Sequence, residues 1–147
     1  MKGAPSEVDL LIEAVLDGSV AWVERYPERV QKVWAYMVDH LSEAGLTIEE
    51  VAVEVGVSRS HLFRLFREEV GVSPRVFWVG LRVAWARRLL GDRRYTISEV
   101  AWGSGFKTLR GFERAFKQWT GCTPKVYRKQ IWMGASQSGP MRGVVGE

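Results

Sequence analysis

Thr47-Ile48-Glu49-Glu50-Val51-Ala52 and Thr96-Ile97-Ser98-Glu99-Val100-Ala101 are near copies of one another, offset by 49 residues. Each opens with a T-x-x-E capping box: the Thr oxygen accepts from the amide three residues on, and the Glu reaches back to the cap. Each then enters an apolar run of helical period, so two helices start alike. Gly56 and Gly105 keep the offset of 49 and stand where a helix C-terminus needs a residue tolerant of positive φ. Past that turn the offset becomes 50. Leu62 then pairs with Phe112, Arg64 with Arg114, Phe66 with Phe116, and Phe77 with Tyr127, while Gly71-Val72-Ser73-Pro74 pairs with Gly121-Cys122-Thr123-Pro124. One residue has been inserted in the second turn.

Each copy is thus a short helix, a glycine turn, a second helix, and a Gly-x-[Ser/Thr]-Pro that ends it and starts the next, which is the layout of a helix-turn-helix. In the first copy Ser58 serves as N-cap and Leu62, Leu65 and Phe66 form the inward stripe. Ser60, His61, Phe63, Arg64 and Arg67 face outward. In the second, Thr108 caps and Phe112, Ala115, Phe116 and Trp119 turn inward, leaving Lys107, Arg110, Gly111, Arg114 and Lys117 outside. Pro74 to Leu90 reads as one linker helix ending at Gly91-Asp92, roughly 25 Å long at ~1.5 Å per residue. A rod of that length can hold two recognition helices about one DNA turn apart, near 34 Å. The expected fold is all-α: two helix-turn-helix subdomains joined by a long linker helix, with an extra N-terminal helix.

The chain has 147 residues, 46% hydrophobic and 26% charged, as one domain of ordinary globular composition would. No apolar run is long enough to span a bilayer, and Met1 to Glu7 lacks the apolar core of a secretory signal, so a cytoplasmic protein is expected. The lone Cys122 with His40 and His61 supplies neither a disulfide framework nor a structural zinc site, and no cofactor is implied. Charge is unevenly spread: residues 1–56 hold 4 Lys/Arg against 11 Asp/Glu, and residues 57–131 hold 16 against 5. The basic segment coincides with the repeat, as expected of a surface that meets a polyphosphate. An enzyme reading finds no Gly-rich phosphate loop, no His/Cys/Asp cluster and no strand pattern.

The stretch Leu46 to Arg128 resembles the DNA-binding domain of the AraC/XylS transcription regulators. The resemblance rests on Ala101-Trp102-Gly103-Ser104-Gly105-Phe106, on Phe112-Glu113-Arg114-Ala115-Phe116, and on Gly121-Cys122-Thr123-Pro124-Lys125-Val126-Tyr127, with their counterparts in the first copy. It implies a seven-helix domain with Pro27 to Gly45 as the leading helix. The length is similar to the short single-domain type, the MarA/SoxS/Rob branch, for which no small-molecule inducer is implied. The domains are then residues 1–26, an acidic helical extension; 27–131, the DNA-binding domain (helix-turn-helix units at about 47–70 and 96–119); and 132–147, a disordered tail.

The expected function is a sequence-specific regulator of transcription, an activator in keeping with the family's usual role, binding double-stranded DNA as a monomer through two successive major grooves. The alternative is a protein-interaction module that binds RNA polymerase or another regulator without reading DNA. Candidate base contacts are Ser60, Phe63 and Arg64 in the first copy and Arg110, Gly111 and Arg114 in the second, and the resemblance puts a recognition residue at Arg64 and Arg114. Candidate phosphate contacts are Ser58, Arg59, His61, Arg67, Lys107, Thr108 and Lys117. Phe63 either touches a thymine methyl or is half-buried against the leading helix, and His61 either meets phosphate or is solvated. Gly111 implies a locally weak recognition helix or a close approach of backbone to DNA. Trp34, Trp78, Trp85, Trp102 and Trp119 fall at helical spacing and are assigned to the core. The helix at 6–17, with Val8, Leu11, Ile12 and Val15 on one side, either enlarges the core or binds a partner.

Overall fold

The computed structural model describes residues 6–138, in which every regular element is an α-helix. The helices are α1 (Glu7–Asp17), α2 (Val20–Val23), α3 (Glu28–Asp39), α4 (Ile48–Val55), α5 (Arg59–Glu69), α6 (Pro74–Leu90), α7 (Ile97–Gly103), α8 (Leu109–Thr120) and α9 (Pro124–Ser138). Among the described residues none is long and apolar enough to cross a membrane.

The repeat is realised as the capping chemistry dictates. Thr47 Oγ1 accepts from the Glu50 amide and Glu50 Oε1 from the Thr47 amide, at 3.2 and 2.9 Å; Thr96 and Glu99 do the same at 3.0 and 2.8 Å. Ser6 and Asp9 form a third such box at the start of α1. The two turns pass through left-handed glycines, Gly56 at φ 84° and Gly105 at φ 87°. Ser58 and Thr108 cap α5 and α8 through the amides of His61 and Gly111, both at 3.0 Å.

Two hydrophobic cores sit side by side along α6. The first gathers Leu11, Ile12 and Val15 of α1, Val30, Val33, Trp34 and Met37 of α3, Val51 and Ala52 of α4, Leu62 and Phe66 of α5, and Phe77, Trp78, Leu81 and Ala84 of α6. The second gathers Val83, Ala86 and Leu90 of α6 with Val100, Ala101, Phe112 and Phe116. Trp119 packs against both. Buried on nearly all sides, α6 has no clean amphipathic stripe, which is how a helix between two cores should read. The acidic helix at 6–17 therefore enlarges the first core, since Leu11 and Ile12 are each only 2% exposed.

Three expectations change. The leading helix ends at Asp39 rather than Gly45, because His40 leaves helical geometry and its ring Nδ1 lies 2.7 Å from the Tyr36 carbonyl, closing the turn. Residues 132–138, assigned to a disordered tail, continue α9, where the Arg93 and Arg128 guanidinium groups lie over the Trp132 ring at 4.6 and 4.9 Å. The rest of that tail, 139–147, lies outside the described residues. Trp102 is 59% exposed rather than in the core: Val100 and Ala101 of α7, with Ser104 just past its end, take the inward positions. Its counterpart in the first copy, Val53, is 77% exposed.

Candidate nucleic-acid interface

On α5, Ser60, Arg64 and Arg67 follow at i, i+4 and i+7, and on α8 Arg110, Arg114 and Lys117 do the same, at the repeat offset of 50. That spacing puts each trio on one face, opposite the stripe that fills the core. All six residues are exposed. Arg67, Arg110, Arg114, Lys107 and Lys117 make no side-chain hydrogen bond or ion pair among the described residues, so their charge is available to solvent or a ligand. The Arg64 guanidinium lies 3.5 Å from His61 Nδ1, a long contact at the outer limit of hydrogen bonding.

Other candidates are already engaged. Arg59 Nε donates to Glu49 Oε2 at 2.7 Å, and its guanidinium lies 4.4 Å over the Phe63 ring. That hydrogen bond holds the Glu49 carboxyl below the usual carboxylate range. Arg59 can meet a phosphate only by exchanging this exposed pair, a small penalty for groups so solvated. Phe63 is half-buried against the first core and stacked under Arg59. The Ser58 and Thr108 oxygens accept from helix amides, while each hydroxyl proton stays free to donate to a phosphate oxygen. Gly111 occupies the first turn of α8, where a Cβ would meet Thr108 Oγ1 at 3.0 Å.

Two arginines that the sequence did not single out hold the units in place. Arg82, 8% exposed on α6, lies 4.1 Å over the Trp78 ring and donates from Nη2 to the Glu43 carbonyl at 2.6 Å. Burial lowers its pKa to about 10. Its Nε packs beneath Gly105, so the turn of the second unit rests on a guanidinium tied to the loop of the first. Arg128 on α9 forks to the carbonyls of Leu90, Tyr95 and Asp92 at 3.0, 2.6 and 3.2 Å, satisfying the C-terminal end of α6 and the loop beyond. The available signal was a cation at helical spacing inside an apolar run, as at Trp78-Val79-Gly80-Leu81-Arg82-Val83. The acidic extension meets cations of α6 as well: Arg88 Nη2 lies 2.7 Å from Glu13 and 2.9 Å from Asp17.

A family of sequences described as a helix-turn-helix domain matches residues 51–130. The arabinose operon regulatory protein of Escherichia coli is 35% identical over 100 residues, 68% of this chain and 34% of that protein. Transcriptional activator NphR of a Rhodococcus species is 31% identical over 133 residues, 86% of this chain and 38% of that protein. The chain thus spans about a third of the length of these curated relatives. Among solved structures, the C-terminal domain of the response regulator AraT from Geobacillus stearothermophilus superposes with a TM-score of 0.69 at 32% identity, covering 72% of this chain and 88% of that one. The DNA-binding domain of AdpA, solved in complex with a target DNA, superposes with a TM-score of 0.67 at 28% identity, covering 76% and 96%. With the paired capping boxes, the two left-handed glycine turns and the matched basic faces of α5 and α8, these likenesses show that the chain belongs to the AraC/XylS family of helix-turn-helix, DNA-binding transcription regulators, rather than to any family of enzymes.

Proposed function

We propose that the chain reads an asymmetric duplex site of ~20 bp as a monomer, inserting α5 and α8 into successive major grooves on one face of the DNA. The observation that carries this reading is the recurrence of the same outward trio on both helices: Ser60, Arg64 and Arg67 against Arg110, Arg114 and Lys117. Arg64 and Arg114 address guanine O6 and N7, with Ser60, Phe63, Arg110 and the Gly111 backbone facing neighbouring bases. Ser58, Arg59, His61, Arg67, Lys107, Thr108 and Lys117 neutralise or bridge phosphates and set the register. Head-to-tail copies have no two-fold axis, so the site should not be palindromic.

The regulator acts in the cytoplasm and as an activator, a role supported by the name of the Rhodococcus relative. Of the acidic residues up to Glu28, Asp9 is taken by a cap and Glu13 and Asp17 by Arg88, while Glu7, Glu24 and Glu28 are exposed. These three would be repelled by phosphate and are the ones that could meet a polymerase subunit.

The test is selection from random duplex DNA, followed by binding with five extra base pairs between the selected half-sites. Half a turn of rotation should abolish two-site binding. In the unaltered site, log K should fall with log [salt] at about −0.9 per phosphate contact. A palindromic consensus with two chains per site would overturn the monomer reading.

A further inference from the structure

The helix that precedes the matched segment does more than fill out a core. Gly80 lies midway along α6, and a Cβ there would meet Ile12 Cδ1 of α1 at 2.6 Å and the Trp119 ring of α8 at 2.7 Å. Three helices therefore converge at the one point on α6 that lacks a side chain, and α8 carries the second unit's outward arginines. About two turns further along, the contact becomes ionic. Arg88 is held by both Glu13 and Asp17, and Arg87 lies 4.0 Å from Glu13 while its Nε donates to the Tyr127 hydroxyl of α9 at 3.2 Å. Through Leu11, Ile12 and Val15, α1 is anchored in the core of the first unit. It meets the shared helix α6 where the second unit also bears on it: Ile12 at Gly80 beside Trp119 of α8, and Glu13 at Arg87, which in turn donates to Tyr127 of α9. An interface that α1 merely covered would need the apolar anchor alone.

We propose that α1 is a brace: it spans the joint between the two helix-turn-helix units and fixes their relative orientation. Ile12, Glu13 and Asp17 are its positioning residues. In the free chain the brace narrows the range of orientations α8 can take relative to α5. On DNA, resting here on the two-groove reading above, it sets how strictly the spacing of the half-sites is enforced. Its ionic part is half-exposed, with Glu13 and Asp17 side chains 41% and 61% accessible, so enforcement should slacken at high salt.

The test measures the orientation directly. Spin labels go on cysteines at Glu68 of α5 and Gln118 of α8, both exposed, with Cys122→Ser removing the native thiol. The distance distribution is then recorded by pulsed dipolar spectroscopy in that background and with Glu13→Lys/Asp17→Lys or Ile12→Ala. The lysines set cations against Arg87 and Arg88 at the surface and leave the core intact, so they decide the question if Ile12→Ala unfolds. The distribution should broaden about twofold, as for a joint freed to hinge. An unchanged distribution in a folded Glu13→Lys/Asp17→Lys chain overturns the brace. In a parallel arm, inserting one base pair between half-sites should weaken binding of the parent chain, and the penalty should shrink about fivefold in the variant. A parent chain indifferent to spacing refutes the two-groove reading, and the spin-label arm still decides the brace. A core-filling role alone would lower stability without moving either readout.

Discussion

Gly56 and Gly105 occupy equivalent turns with nearly equal φ, 84° and 87°, so an alanine pair separates backbone strain from tertiary crowding. Either substitution forces a Cβ into the left-handed region, at about 1–2 kcal/mol, and this part cancels between the two. Around Gly56 nothing lies within 4 Å of the new Cβ. At Gly105 the Cβ would run into the Leu41 carbonyl and lie 2.8 Å from Arg82 Nε. Neither neighbour yields easily: one is backbone, and the other is a guanidinium pinned between the Trp78 ring and the Glu43 carbonyl. Overpacking costs ~1–3 kcal/mol, and displacing Arg82 loses a charge-assisted hydrogen bond of ~1.5–3 kcal/mol. Gly105→Ala should thus lose about 2.5–6 kcal/mol more than Gly56→Ala in urea denaturation, or about 8–18 °C more in Tm at ~3 °C per kcal/mol for a chain of this size. Equal losses would refute the idea that the second turn rests on Arg82 and the Leu41 backbone.

Arg64→Ala and Arg114→Ala should each relax base preference in one half of the selected site, by ~1–3 kcal/mol, as read by competition among single-base variants. Uniform weakening across all sequences would make that arginine a phosphate contact. Arg128→Ala strips partners from three carbonyls around the end of α6 and should cost about 2–4 kcal/mol of stability. Arg128→Lys should not restore it, because an ammonium cannot fork to all three; full recovery in denaturation would contradict that role. Hydrogen bonds from Arg94 hold Asp92 at a pKa of about 2, below its unfolded value, so the pair favours the fold above about pH 4. That contribution is lost as pH falls through about 2. Asp92→Asn should flatten the acid side of the stability curve, and an identical acid limb would show the pair to be inert. Deleting residues 1–26 uncovers the partners of Leu11, Ile12 and Val15 and should cost on the order of 5 kcal/mol in the same denaturation assay.

The features read from sequence were those whose physics is local. A capping box, a left-handed glycine and the i, i+4, i+7 trio each declare themselves within a few residues, and the 49-residue offset ties the two units together. What escaped depends on partners far along the chain. Arg82 answers the Glu43 carbonyl, and Arg128 answers three carbonyls between Leu90 and Tyr95. Neither acceptor is a side chain, so no residue type advertises it. Trp102 escaped because the repeat places an apolar residue at this position in both units, Trp102 and Val53, and only the fold shows that both face out. The role of Glu13 and Asp17 stayed hidden because only the packing of α1 on α6 brings Arg88 to them.

Both cores share α6, Phe77, Trp78, Leu81 and Ala84 serving one and Val83, Ala86 and Leu90 the other. Neither unit can be excised whole. A fragment ending after α6 would bear three bare apolar side chains meant for the second unit, and a fragment starting at α6 would bear four meant for the first. The halves should therefore unfold together in a single cooperative transition. A lesion buried in the second unit, at Phe112 or Phe116, loosens the C-terminal turns of α6 and through them lowers the population of properly seated α5. Genetic damage far from one half of the operator should then appear as weakened recognition of both.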